Sequence, residues 1–132
     1  MRIKQLDHVN IVSDDVPATA RFFAEVLGME TRLPPGADDP EMATWVFDTA
    51  GRPIFHLVSS AIEVRRYGRT GMEATGSIDH IALDCEGHDE IERRIKERGL
   101  EYWTRYVPQI PMRQLFTWDP NGVQLELNFR GD

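Results

Sequence analysis

The sequence predicts an α+β fold of two tandem βαβββ modules whose strands form a cupped, mixed β-sheet. Three observations support this prediction. The chain has 132 residues, which suits one domain with a hydrophobic core. Landmarks of its first half recur in its second half at a spacing of about 71 residues. Each half also contains one stretch with helical periodicity among four strand-like stretches.

The repeat defines the expected organisation of the chain. Three landmarks recur in the same order: LDHVNIV (6–12) as IDHIALD (78–84), GME (28–30) as GLE (99–101), and DTAG (48–51) as DPNG (119–122). We therefore expect a single domain in which module 1 covers about residues 1–60 and module 2 about residues 76–132. A stretch rich in glycine and arginine, about residues 61–75, is predicted to link them.

Each module is predicted to open with an apolar strand, at residues 3–12 and 77–84. Three further strands follow the helix of each module, and we place them at about 29–33, 42–48 and 53–58, and at 101–107, 113–118 and 123–129. The sequence Asp119-Pro120-Asn121-Gly122 is typical of a tight turn between the last two strands.

A helix is predicted after the first strand of module 1. Ser13, Asp14 and Asp15 are candidate N-caps, and Pro17 suits the first turn. Gly28 suits the position after the last helical residue. Apolar side chains at helical spacing are expected to face the core, and they are Ala20, Phe23, Ala24 and Leu27.

The helix of module 2 shows the same signals. Asp89 is the candidate cap, Ile91 and Ile95 are expected to face the core, and Gly99 is expected to end the helix. Two ion pairs at i, i+4 spacing are predicted on its exposed side, Glu90–Arg94 and Glu92–Lys96. We expect His88, in the loop before this helix, to be solvated or to cap it.

Alternation along the strands assigns polar side chains to one face of the sheet. In the last strand Val123, Leu125, Leu127 and Phe129 share the face that should pack on the helix, so Glu126 points to the opposite face. The same alternation directs His8, His56 and His80 away from the helices.

The repeat relates these four polar residues to one another. His8 and His80 occupy equivalent positions, and His56 and Glu126 do so if one loop is a residue shorter. A pseudo-twofold axis between the modules would bring all four side chains toward one point. Three imidazoles and one carboxylate form a donor set for a first-row divalent metal. We therefore predict that the cupped sheet surrounds a metal site.

Composition and charge exclude several functional classes. Apolar residues make up 41% and charged residues 28% of the chain, as in soluble globular proteins. The net charge of −7 argues against nucleic-acid binding, which needs a basic surface. We expect neither a membrane helix nor a secretory leader, because no stretch has the apolar length that either needs. The single cysteine, Cys85, excludes an internal disulfide, and we expect a cytoplasmic protein.

The chain resembles the vicinal oxygen chelate superfamily, which includes glyoxalase I, type I extradiol dioxygenases, methylmalonyl-CoA epimerase and bleomycin-resistance proteins. The resemblance rests on LDHVNI (6–11), FAEVLGM (23–29), IDHIAL (78–83) and DPNGVQLEL (119–127), and it covers essentially the whole chain. It implies the fold predicted above. It also implies a homodimer and a small-molecule substrate that binds through two adjacent oxygens.

The resemblance implies a ligand set and leaves the reaction open. Metal-dependent members take ligands from positions that are His8, His80 and Glu126 here. The glyoxalase and epimerase branches have Glu or Gln where this chain has His56. In the extradiol branch a further histidine acts on protons, as His56 could, but Phe116 stands where that branch usually has a tyrosine.

The function expected from the resemblance is that of a metal-dependent enzyme. An extradiol-type dioxygenase with Fe²⁺ is favoured, with His56 and Glu126 as catalytic residues and with His56 as a fourth ligand or just outside the ligand set. A glyoxalase-type lyase or isomerase with Ni²⁺, Zn²⁺, Co²⁺ or Mn²⁺ is the alternative, and a non-catalytic binding protein of the bleomycin-resistance type is the second alternative. The residues expected to line the substrate pocket are Asn10, Trp45, Met112, Arg113, Gln114, Phe116 and Trp118.

Overall fold

The computed structural model of the protein describes residues 1–62, 75 and 77–131. The chain divides into two compact units, Met1–Met72 and Glu73–Asp132. The boundary between the units lies within the predicted linker of about residues 61–75. Most of that linker, including Arg65, Arg66 and Arg69, lies outside the described residues.

Among its described residues, the first unit contains a four-stranded sheet with a helical region after its first strand. Its elements are β1 (Val9–Ser13), α1 (Val16–Arg21), a π-helical segment (Phe22–Val26), β2 (Glu30–Arg32), β3 (Ala43–Phe47) and β4 (Pro53–Ser59). The strands lie in the order β1-β4-β3-β2. The pair β1 and β4 is parallel, whereas β3 is antiparallel to both β4 and β2.

The second unit repeats this architecture. Its elements are β5 (Ile81–Cys85), α2 (His88–Glu97), β6 (Tyr102–Val107), β7 (Met112–Trp118) and β8 (Gln124–Arg130). The strand order is β5-β8-β7-β6, with β5 and β8 parallel and the other neighbours antiparallel. The predicted α+β fold of two βαβββ modules is therefore confirmed.

The first strand of each module begins later than the sequence predicts. β1 starts at Val9 rather than at residue 3, and β5 starts at Ile81 rather than at residue 77. The reason is the length of the partner strand. Val9 lies opposite Phe55, and β4 begins only two residues earlier, at Pro53. The residues well before Val9 therefore have no β4 residue opposite them with which to form strand hydrogen bonds.

The buried stripe of the first helical region also differs from the prediction. Asp15 caps α1 by accepting a hydrogen bond from the Ala18 amide, as expected. Phe23 is fully buried, but Ala20, Ala24 and Leu27 are only half-buried. The residues that pack into the core are Val16, Thr19, Phe22, Phe23 and Val26. The π-helical turns wind more residues per turn than an α-helix, and this rotates the apolar face around the axis.

The helix of the second unit matches the prediction along its length but not at its start. Ile91 and Ile95 are buried, and both predicted i, i+4 ion pairs form. The N-cap is Gly87, in a left-handed conformation with φ of 82°, rather than Asp89. His88 is therefore the first helical residue, and its side chain is buried rather than solvated. No helix among the described residues has the length and apolar character needed to cross a membrane.

The last strands of the two units alternate as the sequence predicts. In β8 the buried residues Leu125, Leu127 and Phe129 form one face, and Phe129 contacts the start of α2 through His88 at 5.0 Å between ring centroids. In β4 the equivalent buried residues are Phe55 and Leu57. Burying these apolar faces against the helices leaves the opposite face of each sheet for polar side chains.

A tight turn precedes each of these last strands and uses the same device in both units. Gly51 and Gly122 adopt positive φ angles of 77° and 83°. The Oδ1 atoms of Asp48 and Asp119 each accept hydrogen bonds from the backbone amides two and four residues further on, at 2.8–3.0 Å. The turns help to set the register of β4 and β8 against their neighbours, because the aspartate side chains satisfy backbone donors in this conformation.

Replacing Asp119 by alanine is expected to lower the free energy of unfolding by about 1–3 kcal/mol, because two backbone amides lose their acceptor at a buried turn. Asp119→Asn keeps an Oδ1 acceptor and should lose clearly less. Urea unfolding of both variants and the wild type measures the difference. Equal losses in the two variants would contradict the role assigned to the Oδ1 acceptor.

Candidate functional site

In the first unit, the parallel pairing of β1 and β4 brings His8 and His56 together. Asn10 lies opposite His56 in the register, and His8 precedes Asn10 by two residues, so all three share one face of the sheet. The His8 and His56 rings stack with centroids 3.8 Å apart and planes 12° apart. Trp45, the β3 partner of His56, stacks at 4.3 Å from the His56 ring.

His56 has an incompletely satisfied side chain. Its Nε2 atom is buried and has no hydrogen-bond partner among the described residues. Burial lowers the pKa of His56 below its usual range, and the neighbouring His8 acts in the same direction. The lowered pKa favours the neutral form of the ring. A buried polar atom without a partner carries a free-energy cost, which a metal ion or a substrate proton at this nitrogen would relieve.

In the second unit, the parallel pairing of β5 and β8 brings His80 and Glu126 together. Ala82 lies opposite Glu126, and His80 precedes Ala82 by two residues. The His80 Nε2 atom lies 2.9 Å from Glu126 Oε2. The Nδ1 atom of the same ring lies 2.8 Å from Asp79 Oδ2. The hydrogen bond with Asp79 raises the pKa of His80, and the charge of Glu126 adds to the effect.

The register thus places His56 and Glu126 at equivalent positions of the two modules, as the repeat predicts. Asn10 faces His56 in one unit as Ala82 faces Glu126 in the other, and each of these two residues follows a histidine by two positions. The structure brings the four predicted metal ligands together as two pairs, one within each unit.

Sequence reasoning missed a function for the aspartates that precede the two strand histidines. Asp7 Oδ2 lies 2.6 Å from His8 Nδ1, and Asp79 holds His80 in the same way. A carboxylate on Nδ1 orients the imidazole and leaves Nε2 as the atom that can bind a metal, a partnership common around metal-ligating histidines. The signal was present in the sequence as an Asp-His dipeptide repeated in both halves.

An amide pair supports Glu126 from the other side. Gln114 Nε2 donates hydrogen bonds to Glu126 Oε1 at 2.6 Å and to Asn128 Oδ1 at 3.0 Å. Gln114 and Asn128 are both only 7% exposed. Glu126 is therefore held by Gln114 at one oxygen and by His80 at the other, which restricts the carboxylate to one orientation.

The register of β7 and β8 also tests which predicted pocket residues share the Glu126 face. Phe116 lies directly opposite Glu126, and Gln114, Met112 and Trp118 share its face because they differ from it by even numbers of residues. Arg113 does not share this face. It lies opposite Phe129, on the helix side, where its Nη1 atom donates to the Asp89 carboxylate at 3.0 Å. The assignment of Arg113 to the pocket beside Glu126 is therefore wrong, because alternation turns its side chain to the helix.

A second group of possible ligands lies at the start of α2. Ligand atoms of His88, Asp89 and Glu92 lie within 4.8 Å of one another. Cations already neutralise this group, since Arg113 binds Asp89 and Lys96 lies 3.5 Å from Glu92. In the His8–His56 pair, by contrast, the buried Nε2 atom of His56 has no hydrogen-bond partner among the described residues. The first-unit pair therefore offers a divalent ion a donor nitrogen that no other described group engages.

The fold and the repeated Asp-His pairs agree with a comparison against known protein families. Residues 5–127 match the Glyoxalase/Bleomycin resistance protein/Dioxygenase superfamily. The chain belongs to this superfamily. Its members bind small-molecule substrates, typically with a divalent metal ion, and include enzymes such as glyoxalase I.

Two curated relatives align over nearly the whole chain. Glyoxylase I 4 of Arabidopsis thaliana is 27% identical over 130 residues, which cover 96% of this chain and 71% of the relative. The uncharacterized protein YaeR of Escherichia coli is also 27% identical over 130 residues, with 95% of both chains covered.

Solved structures of the superfamily share the fold. Lactoylglutathione lyase from Agrobacterium tumefaciens superimposes with a TM-score of 0.71 at 18% identity, covering 97% of this chain and 95% of the other. A superfamily member from Sphaerobacter thermophilus superimposes with a TM-score of 0.69 at 22% identity, covering 97% and 98%. At these identities the likeness establishes the fold.

Gln114→Leu is expected to lower the free energy of unfolding by about 1–3 kcal/mol, because Glu126 and Asn128 lose their shared donor in a buried setting. Gln124→Leu serves as the control. It makes the same chemical change on the same face of the sheet, but on β8 and outside this network. Thermal or urea unfolding compares the two. If both variants lost the same amount, the amide pair would have no special role.

Proposed function

We propose that this protein is a metal-dependent enzyme that binds a small substrate through two adjacent oxygen atoms, and that it catalyses a lyase or isomerase reaction of the glyoxalase type. The observation that carries the choice of reaction is the buried Nε2 atom of His56, which has no hydrogen-bond partner among the described residues and whose ring stacks on His8. The sequence alone favoured an extradiol-type dioxygenase. The structure leads us to prefer the glyoxalase-type reaction instead, because this nitrogen can serve as a fourth metal ligand.

The proposed ligands are His8, His56, His80 and Glu126, acting on one divalent ion. The donor chemistry fits, because imidazoles and one carboxylate suit Ni²⁺, Zn²⁺, Co²⁺, Fe²⁺ and Mn²⁺, and a protonated imidazole such as His80 releases its proton when a metal binds. The lowered pKa keeps His56 neutral and able to donate its lone pair. When bound, such an ion supplies Lewis-acid stabilisation of a negatively charged substrate oxygen.

Four protein ligands would leave two positions of an octahedral ion for the two substrate oxygens. That number accommodates a chelating substrate and leaves no position for O₂. A reaction that only moves protons therefore fits this ligand set better than ring cleavage. The reaction-specific names among the relatives, Glyoxylase I 4 and lactoylglutathione lyase, support the same choice.

The residues of the chain have distinct tasks in this proposal. Asp7 and Asp79 hold the Nδ1 atoms of their histidines and so orient the opposite nitrogens. Glu126 is the proposed proton carrier, as a carboxylate whose Oε1 atom is held by Gln114 while Oε2 faces His80. Asn10 and Trp45 border His56, and Met112, Phe116 and Trp118 share the face of Glu126.

An extradiol-type dioxygenase with Fe²⁺ is the second candidate. It is favoured by the His8, His80 and Glu126 set, because two histidines and one carboxylate suit non-haem iron with open positions. In this candidate His56 does not bind the metal. Its lowered pKa then favours the unprotonated ring, which can accept a proton as a general base. With either reaction we expect a cytoplasmic homodimer.

Metal content tests the ligand assignment and the non-catalytic alternative together. Protein purified without chelators and reconstituted is expected to hold about one ion per chain, whereas His8→Ala and Glu126→Ala should lose it and keep the fold, because metal sites of this kind need their full donor set. His88→Gln is the matched control and should keep the ion. Elemental analysis with circular dichroism measures both. Less than about 0.2 ion per wild-type chain would favour a metal-free binding protein.

The role of His56 tests the choice of reaction. If it ligates, His56→Ala weakens metal binding about 10-fold or more, and the wild type turns over a hemithioacetal with Ni²⁺ or Zn²⁺. Oxygen uptake by anaerobically Fe²⁺-loaded protein on a panel of catechols is the opposing measurement. Uptake there, with metal content unchanged in His56→Ala, would reverse the order of the two candidates.

A further inference from the structure

A row of paired residues crosses the second sheet and leads from Glu126 to an exposed aromatic side chain. Glu126 lies opposite Phe116 on β7, and Phe116 lies opposite Trp103 on β6. Direct pairing puts all three side chains on one face. Neighbouring strands are about 4.8 Å apart, so the row extends roughly 10 Å from Glu126 to Trp103.

The two aromatic rings form one continuous surface. The Trp103 and Phe116 rings stack with centroids 3.9 Å apart and planes only 4° apart. Phe116 is 6% exposed, whereas Trp103 is 44% exposed although it is a large apolar side chain. Stacking on Phe116 holds the indole in place at the edge of the sheet and leaves much of it uncovered.

The first unit has no such surface at the equivalent position. Its row runs from His56 to Trp45 and then to Arg32, so a cation stands where Trp103 stands in the second unit. Arg32 is engaged by an ion pair with Glu30 and by the face of Phe47, at 3.9 Å from the ring centroid. Within the part of the chain that the structure describes, only the second module therefore extends its aromatic row to the outer strand of the sheet.

We propose that Trp103 and Phe116 form an aromatic wall that selects substrates with a planar, conjugated group next to their two adjacent oxygens. The inference rests on the proposed function, in which the substrate oxygens bind a divalent ion that has Glu126 among its ligands. We assign the wall to the substrate because it is continuous with the candidate site: Phe116 lies at the strand position directly opposite Glu126. Its extent of roughly 10 Å matches one or two fused rings beyond the oxygens.

Hydroxamates test the wall without requiring turnover, because their two adjacent oxygens chelate divalent metals. Benzohydroxamate and cyclohexanecarbohydroxamate have the same chelating head and rings of six carbons, and only the first ring is planar. Metal-loaded wild-type protein is expected to bind benzohydroxamate about 3–10-fold more tightly in isothermal titration calorimetry, the range typical of an aromatic contact.

Variants of the wall distinguish a planar contact from general apolar cover. Trp103→Leu keeps an apolar side chain, and the ratio of the two hydroxamate affinities should fall close to one. Trp103→Phe should keep most of the preference for benzohydroxamate. Tyr106→Ala is the matched control and should leave the preference unchanged. Tyr106 is a more exposed aromatic residue on the same strand, but it lies opposite Arg113 and so on the helix side.

The outcomes separate the wall from the proposed function. If neither hydroxamate bound to metal-loaded wild-type protein, the proposed function would fail and the wall with it. If both bound equally well, the wall would be overturned while the metal site stood. A preference that survived in Trp103→Leu would also overturn it. Circular dichroism of each variant checks that the fold is retained.

Discussion

The parallel pairing of the first and last strands of each module is the constraint on which the candidate site depends. These strands are far apart in sequence, and hydrogen bonds between them set which residue faces which. Because side chains alternate along a strand, a slip of one residue would turn His56 or Glu126 into the apolar core. The register is protected from such a slip by the fully buried Leu57 on β4 and by Leu125 and Leu127 on β8.

The same scaffold holds two chemically different pairs. In the first unit two imidazoles stack against each other and a tryptophan, and desolvation keeps His56 neutral. In the second unit a histidine lies between two carboxylates, which favour its charged form. One repeated backbone thus holds two stacked imidazoles in the first unit and an imidazole between two carboxylates in the second. The same fold therefore presents chemically different side chains at equivalent positions.

Much of this arrangement could be predicted because it depends on local patterns. Alternation of apolar residues predicts the faces of β4 and β8, and the helix signals predict Ile91 and Ile95 as core residues. The sequence predictions are wrong where the structure of one element depends on contacts with another element or on irregular helical geometry. The start of β1 depends on where β4 begins. The buried stripe of the first helical region depends on its π-helical turns.

The sequence by itself determined the duplication, the strand and helix order, and the face on which His8, His56, His80 and Glu126 lie, because period and repeat are properties of the chain alone. Only the tertiary structure decided how these groups are engaged. It showed that Asp7 and Asp79 orient the histidines, that Gln114 and Asn128 support Glu126, and that Arg113 binds Asp89 on the other face. Hydrogen bonds and ring contacts between distant residues depend on register and rotamer, which packing sets and sequence spacing does not record.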